Sequence, residues 1–235
     1  KRLVVPQWWR RFAYITPGYL VGGDEGGELR GTKLAAAGEA PGKVVTVVKG
    51  VDTDRTNDGI ANFDISQNGN LVYVRRDRGR QSVVIVDRQG QSKPVSIPES
   101  EVQEAHVSPD GHRIATVTEG VINIVDLERG TTTPLTPEIT TGNKQQPVWS
   151  PDGRSVTFAS NYEGNWDIYS KPVSGAGSVT PLLKLPLDQF PTGYASDGTL
   201  LFQTVDPKNG TELWILPPGG EARVWLSNGS QNNDA

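Results

Sequence analysis

Apolar residues come in short runs along this chain, among them Leu71–Val74, Val83–Val86, Ile114–Val117, Ile122–Val125, Val156–Ala159 and Leu213–Leu216. Clusters of Gly, Pro, Asp, Asn and Ser divide them. Runs of this length, rich in Val, Ile, Phe and Tyr and bounded by turn formers, predict β-strands rather than helices. The punctuation itself repeats: Asp64-Ile-Ser-Gln-Asn-Gly69, His106-Val-Ser-Pro-Asp-Gly111, Val148-Trp-Ser-Pro-Asp-Gly153 and Gly193-Tyr-Ala-Ser-Asp-Gly198, with glycines 42, 42 and 45 residues apart. Proline presets φ, Asp or Asn bonds its own backbone and glycine tolerates φ > 0, so each word is a tight turn between two strands. Two further strands follow each turn, and the repeat reads as a four-stranded antiparallel meander.

A repeat of about 40–45 residues with four strands matches a propeller blade, because one small sheet buries its faces only against neighbouring sheets. A β-sandwich also has short strands, but it does not require the same Ser-Pro-Asp-Gly words at a fixed long period. The expected fold is therefore an all-β propeller of four-stranded antiparallel blades, near 9–50, 58–98, 101–137, 143–185 and 188–227, with 228–235 as a polar tail. The first blade is degenerate, with Arg11–Ile15 as its inner strand. After the last strand near Arg223–Leu226 there is no room for a complete sixth blade.

Composition narrows the chemistry. The chain has 235 residues, 27 Gly, 17 Pro, no Cys and two His, so it has no disulfide, thiol nucleophile or Cys-ligated zinc. A formal charge of −4 gives no global pull toward nucleic acid or anionic lipid, and no nucleic-acid partner is expected. No apolar run approaches the ~18 residues of a membrane span, so any anchor or signal is expected upstream, in a longer parent of which this chain reads as a piece. Trp8-Trp9-Arg10-Arg11-Phe12 suits either an interfacial segment leaving such an anchor or first-blade core. Asn209-Gly-Thr211 and Asn228-Gly-Ser230 fit the glycosylation triplet but do not decide localisation.

Trp149-Ser-Pro-Asp-Gly-Arg-Ser-Val-Thr-Phe-Ala-Ser160, followed by Asn165-Trp-Asp-Ile-Tyr169, resembles the TolB-like, WD40-like propeller repeat, and the likeness extends over residues 60–227. A narrower likeness over residues 18–74, carried by Gly18-Tyr-Leu-Val, Gly38-Glu-Ala-Pro41, Gly50-Val51 and Phe63-Asp-Ile-Ser-Gln-Asn-Gly-Asn-Leu-Val-Tyr-Val74, is to propeller regions of bacterial receptor-type serine/threonine kinases. The TolB resemblance implies six blades and a bacterial, periplasmic or otherwise extracytoplasmic role in binding proteins or small ligands. The sixth blade is the departure from that pattern, and it leaves the closure of the ring open.

Propellers present ligands at the channel mouth, where inner strands and the loops entering them converge. Seven positions before each repeat glycine fall Asn62, Glu104, Gln146 and Pro191; ten before it fall Gly59, Glu101, Asn143 and Asp188. With Asp58 and His106, these polar residues form the candidate site: Asp58, Asn62, Glu101, Glu104, His106, Asn143, Gln146 and Asp188. If Asp58, Glu101, Glu104 and Asp188 point inward at one end, they could hold calcium; as solvated loop residues they would hold nothing, and metal content stays open. No other cofactor is expected. Asp110 and Asp152 recur with the turns and read as structural, since a single active site does not repeat in every blade. His106 next to Glu101 and Glu104 could be a tuned base or an ordinary strand histidine. Arg75-Arg-Asp-Arg-Gly-Arg80 reads as a solvated hairpin. There is no Gly-x-Ser-x-Gly elbow and no phosphate loop. The favoured function is a non-enzymatic binding or scaffolding propeller for a protein or small ligand. The alternative is a propeller hydrolase or lyase, or the gating propeller of a prolyl-oligopeptidase-like enzyme.

Overall fold

The computed structural model describes residues 11–15, 18–34, 42–54, 60–77, 80–95, 97, 102–206 and 210–227. Asp58, Glu101, Trp8 to Arg10, Asn209, Asn228 and the tail lie outside them. The fold is an all-β propeller of five four-stranded antiparallel blades. The first is β1 (Arg11–Ile15), β2 (Tyr19–Gly23), β3 (Glu28–Lys33) and β4 (Val45–Lys49). A small hairpin, β5 (Thr53–Asp54) and β6 (Ile60–Ala61), leads to the second blade: β7 (Phe63–Ile65), β8 (Leu71–Asp77), β9 (Arg80–Val86) and β10 (Ser92–Val95). The third is β11 (Val102–Val107), β12 (Arg113–Thr118), β13 (Val121–Asp126) and β14 (Thr131–Pro134), and the fourth is β15 (Lys144–Trp149), β16 (Ser155–Ser160), β17 (Asp167–Pro172) and β18 (Thr180–Leu183). The fifth is β19 (Asp188–Tyr194), β20 (Leu200–Asp206), β21 (Gly210–Leu216) and β22 (Arg223–Ser227). In each, the strands lie in sequence order across the sheet.

The repeated turn owes its shape to the residues the repeat conserves. In the third blade the Ser108 hydroxyl donates to Asp110 Oδ1 (2.6 Å), the His112 N–H donates to the same oxygen (3.0 Å), and the Arg113 N–H donates to Ser108 Oγ (2.9 Å). In the fourth, Ser150, Asp152, Arg154 and Ser155 reproduce those bonds at 2.6, 3.0 and 3.0 Å. The hydroxyl of Ser150 and the amide of Arg154 hold the Asp152 carboxyl below the usual carboxylate range. Asp110 and Asp152 are therefore turn residues. Gly111 has φ +77°, and a Cβ there would sit 2.6 Å from the Asn68 and Asn70 side-chain amides, so both conformation and space call for glycine. The Asn68 side chain also donates to the Asp110 carbonyl (2.7 Å), joining the turns of consecutive blades.

Of the described residues, those up to Ile114 together with Asp126–Gly130 form one compact unit, and Ala115–Val125 with those from Thr131 onward form a second. The first has a core of Val21, Leu29, Val51, Ala61, Phe63, Leu71, Tyr73 and Val84, filled from the facing sides of blades one and two. The second has two clusters. Ala115, Val117, Ile122 and Ile124 pack with Trp149, Val156, Phe158 and Tyr169, while Val148 and Ile168 pack with Leu200 and Phe202. No helix among the described residues is long and apolar enough to cross a membrane.

Candidate functional site

The inner strands are the first strand of each blade, and in the first unit β7 and β11 bring three ionisable side chains together. The Val107 N–H donates to Asp64 Oδ2 (2.9 Å), tying the inner strand of blade three to that of blade two. His106 is buried beside this link: its Nδ1 lies 3.7 Å from Asp64 Oδ2 and its Nε2 3.4 Å from Glu104 Oε2. Both carboxylates belong to part-buried side chains, 26% exposed for Asp64 and 21% for Glu104, and they bracket the imidazole. Asn62 stands at the entry to β7, half-buried, with its N–H donating to the Asp52 carbonyl (2.9 Å) and its own carbonyl accepting from Val74 (3.0 Å). Glu104 and His106, two residues apart on β11, lie side by side, and Asp64 of β7 joins them. The sequence held a signal for Asp64: it occupies, one blade earlier, the repeat position of His106.

In the second unit the predicted residues serve different ends. Asp188 Oδ1 accepts from the Trp166 N–H (3.1 Å) and holds the β16–β17 hairpin, while the Trp166 ring packs on Phe190 at 5.5 Å between centroids. The Asn143 N–H donates to Asn161 Oδ1 (2.7 Å), and its carbonyl accepts from Ser160 Oγ (3.0 Å). Gln146 is half-buried and has φ +52° at a bulge in β15 between Gln145 and Val148. A left-handed non-glycine residue costs about 1–3 kcal/mol, and a bulge re-aims the side chains around it. The inner strand β19 bulges at the corresponding place, between Pro191 and Gly193.

Two residues of this unit were not singled out from the sequence. Lys144 is buried, and its Nζ donates to the carbonyls of Ile139 (2.6 Å), Thr141 (3.4 Å) and Gly142 (3.4 Å); burial pushes its pKa down. Gln189, at the same repeat position one blade later, donates from Nε2 to the carbonyls of Leu185 (3.2 Å) and Leu187 (2.5 Å) and to Asp167 Oδ1 (3.2 Å). One repeat position thus supplies a buried donor that pins the loop entering its own inner strand. Lys and Gln share no one-letter pattern, and only the nine-residue offset from the repeat glycine links them. Among the described residues no group of three or more His, Asp or Glu is arranged to hold a metal ion; in the cluster of Asp64, His106 and Glu104 the two carboxylates stand at different nitrogens of the ring. The suggested calcium ring includes Asp58 and Glu101, which lie outside the described residues.

No protein-family model matches the chain. Solved structures with similar folds include a protein of Agrobacterium tumefaciens assigned as TolB, at TM-score 0.70 and 22% identity over 89% of this chain and 76% of that one. TolB from Acinetobacter baumannii matches at TM-score 0.62 and 17% identity over 89% of this chain, which spans 60% of that protein's length. An oligogalacturonate lyase in complex with manganese matches at TM-score 0.61 and 15% identity, over 91% of this chain and 63% of that one. At these identities the likeness is one of fold: a TolB-like propeller arrangement on which both binding proteins and enzymes are built.

Proposed function

We propose that this chain is a binding propeller that recognises a protein or small ligand at the mouth formed by its inner strands, as the sensor or interaction part of a larger bacterial protein working outside the cytoplasm. The observation that carries this reading is the acid-bracketed cluster on β7 and β11. The Glu104 and Asp64 side chains stay about a fifth to a quarter exposed within a setting where Phe63, Ala105 and Val107 are buried. Part-exposed acceptors on rigid strands suit recognition of a donor group, because the strands are already ordered before a ligand arrives. Asn62, with Asp58 and Glu101, is proposed to extend this contact set, and Asn143, Gln146 and Asp188 are proposed as contacts on the second unit's own inner strands. The TolB-like fold supports a protein partner and an extracytoplasmic place, and the kinase-like reading of residues 18–74 belongs to the same proposal.

A screen of small ligands and peptides by thermal shift, followed by titration calorimetry, tests this reading. A ligand that binds the wild type and loses affinity in Glu104→Gln, with the unfolding midpoint unchanged, is the expected result. The second reading, a hydrolase or lyase, is favoured by the placement of His106 between two carboxylates, the usual surroundings of a general base. Reproducible turnover of an oligogalacturonide or peptide, abolished by His106→Ala, would replace the binding proposal with that one.

A further inference from the structure

The five outer strands differ in how they protect their free edges. In β10, β14 and β18 each edge carries a proline, Pro94, Pro134 and Pro181. A proline offers no N–H, so such an edge is a poor template for another strand. β4 has no proline. It extends a β-branched run, Val44-Val45-Thr46-Val47-Val48, set between Lys43 and Lys49. Val44, Val45 and Val47 are 42%, 53% and 46% exposed, and among the described residues β4 pairs only with β3. The bulge between the pairs Leu29–Val48 and Arg30–Thr46 leaves Val47 as the extra residue. The strand is held in place from behind: Glu28 accepts from the Thr46 hydroxyl (2.7 Å) and lies 3.4 Å from Lys49 Nζ.

We propose that β4 is a strand-addition site for an extended peptide of a partner protein, with an apolar, β-branched middle and an acidic residue toward each end. Lys43 and Lys49 are roughly 20 Å apart along a strand at about 3.3 Å per residue, so they receive carboxylates about six residues apart. Main-chain hydrogen bonds to an edge supply affinity, and alternate side chains supply choice of partner. The same lysines disfavour a second copy of this chain. Antiparallel self-pairing centred on Thr46 sets Lys43 against Lys49 twice, and in-register parallel pairing sets each lysine against itself. β22, the other outer strand without proline, exposes Val224, Trp225 and Leu226 but has no cation at both ends. The proposal stands independently of the inner-strand reading.

Fluorescence anisotropy with two labelled peptides, Glu-Val-Thr-Val-Thr-Val-Glu and Lys-Val-Thr-Val-Thr-Val-Lys, is the test, with hydrogen exchange locating the contact. The acidic-ended peptide should bind, slow exchange of the amides of residues 44–48, and weaken about three- to tenfold with Lys43→Glu. Val45→Lys should remove binding while the unfolding midpoint of the free chain holds. Binding by neither peptide, equal binding by both, or protection confined to other strands overturns the proposal. So does a concentration-dependent dimer of the free chain that Val45→Lys dissolves, which would assign the edge to a second copy.

Discussion

At the scale of single residues, short-range chemistry decides more than charge count does. Glu28 shows this best: hydrogen bonds from Arg30 (2.6 Å) and Thr46, opposed by partial desolvation and helped by the charges of Arg30 and Lys49, lower its carboxyl from 4.5 to about 2. Its folded pKa lies below its unfolded one, so its stabilisation is complete above pH 4.5 and is lost as the pH falls toward about 2. Glu28→Gln should therefore be less stable than wild type at neutral pH, with the gap closing across that window; urea midpoints measured from pH 7 down to pH 2 would show it. A gap of constant size would mean that Glu28 acts through its shape rather than its charge. Asp110 and Asp152 were legible as turn residues because the hydrogen bonds to their carboxylates come from within two residues of sequence. Lys144 was not, since nothing local says that a lysine ammonium turns inward onto three carbonyls.

At the scale of strands and sheets, continuous apolar runs such as Ile114–Val117 and Val156–Ala159 mark strands buried on both faces, and cross-blade hydrogen bonds lock the packing at its margins. In the second unit, Val148, Ile168, Leu200 and Phe202 fill the contact between blades four and five. At its margins, the Tyr194 hydroxyl and Thr157 Oγ1 share a hydrogen bond of 2.8 Å, and Gln189 reaches Asp167. Thr157 is fully buried, so Tyr194→Phe leaves its hydroxyl without a partner and should cost about 1–3 kcal/mol by chemical denaturation. Thr157→Val in the Tyr194→Phe background should recover part of that loss, because the stranded hydroxyl is then gone. Bulges were not legible in the sequence. They arise where two strands disagree in length between fixed turns; Gln146 takes its left-handed conformation at one, and Val47 and Trp225 are the extra residues at two others.

At the scale of the molecule, the repeat explains why short strands suffice. A single blade has too little apolar area to offset the ordering of its chain, whereas neighbours share their faces. A peptide of residues 144–183, the four strands of the fourth blade, should be unfolded by circular dichroism, although Phe158 and Tyr169 are fully buried in the chain. A cooperative melt of that peptide would show that a blade is its own folding unit. The sequence by itself determined the turns, the number of strands in each repeat and the all-β propeller class, because those follow from φ preferences, local side-chain bonds and periodicity. Only the tertiary structure decided that Asp64 meets His106, that Lys144 and Gln189 do the same work, and where the strands bulge. These depend on residues about 40 positions apart meeting across neighbouring blades, on inward turns of side chains, and on bulges, none of which a local pattern encodes.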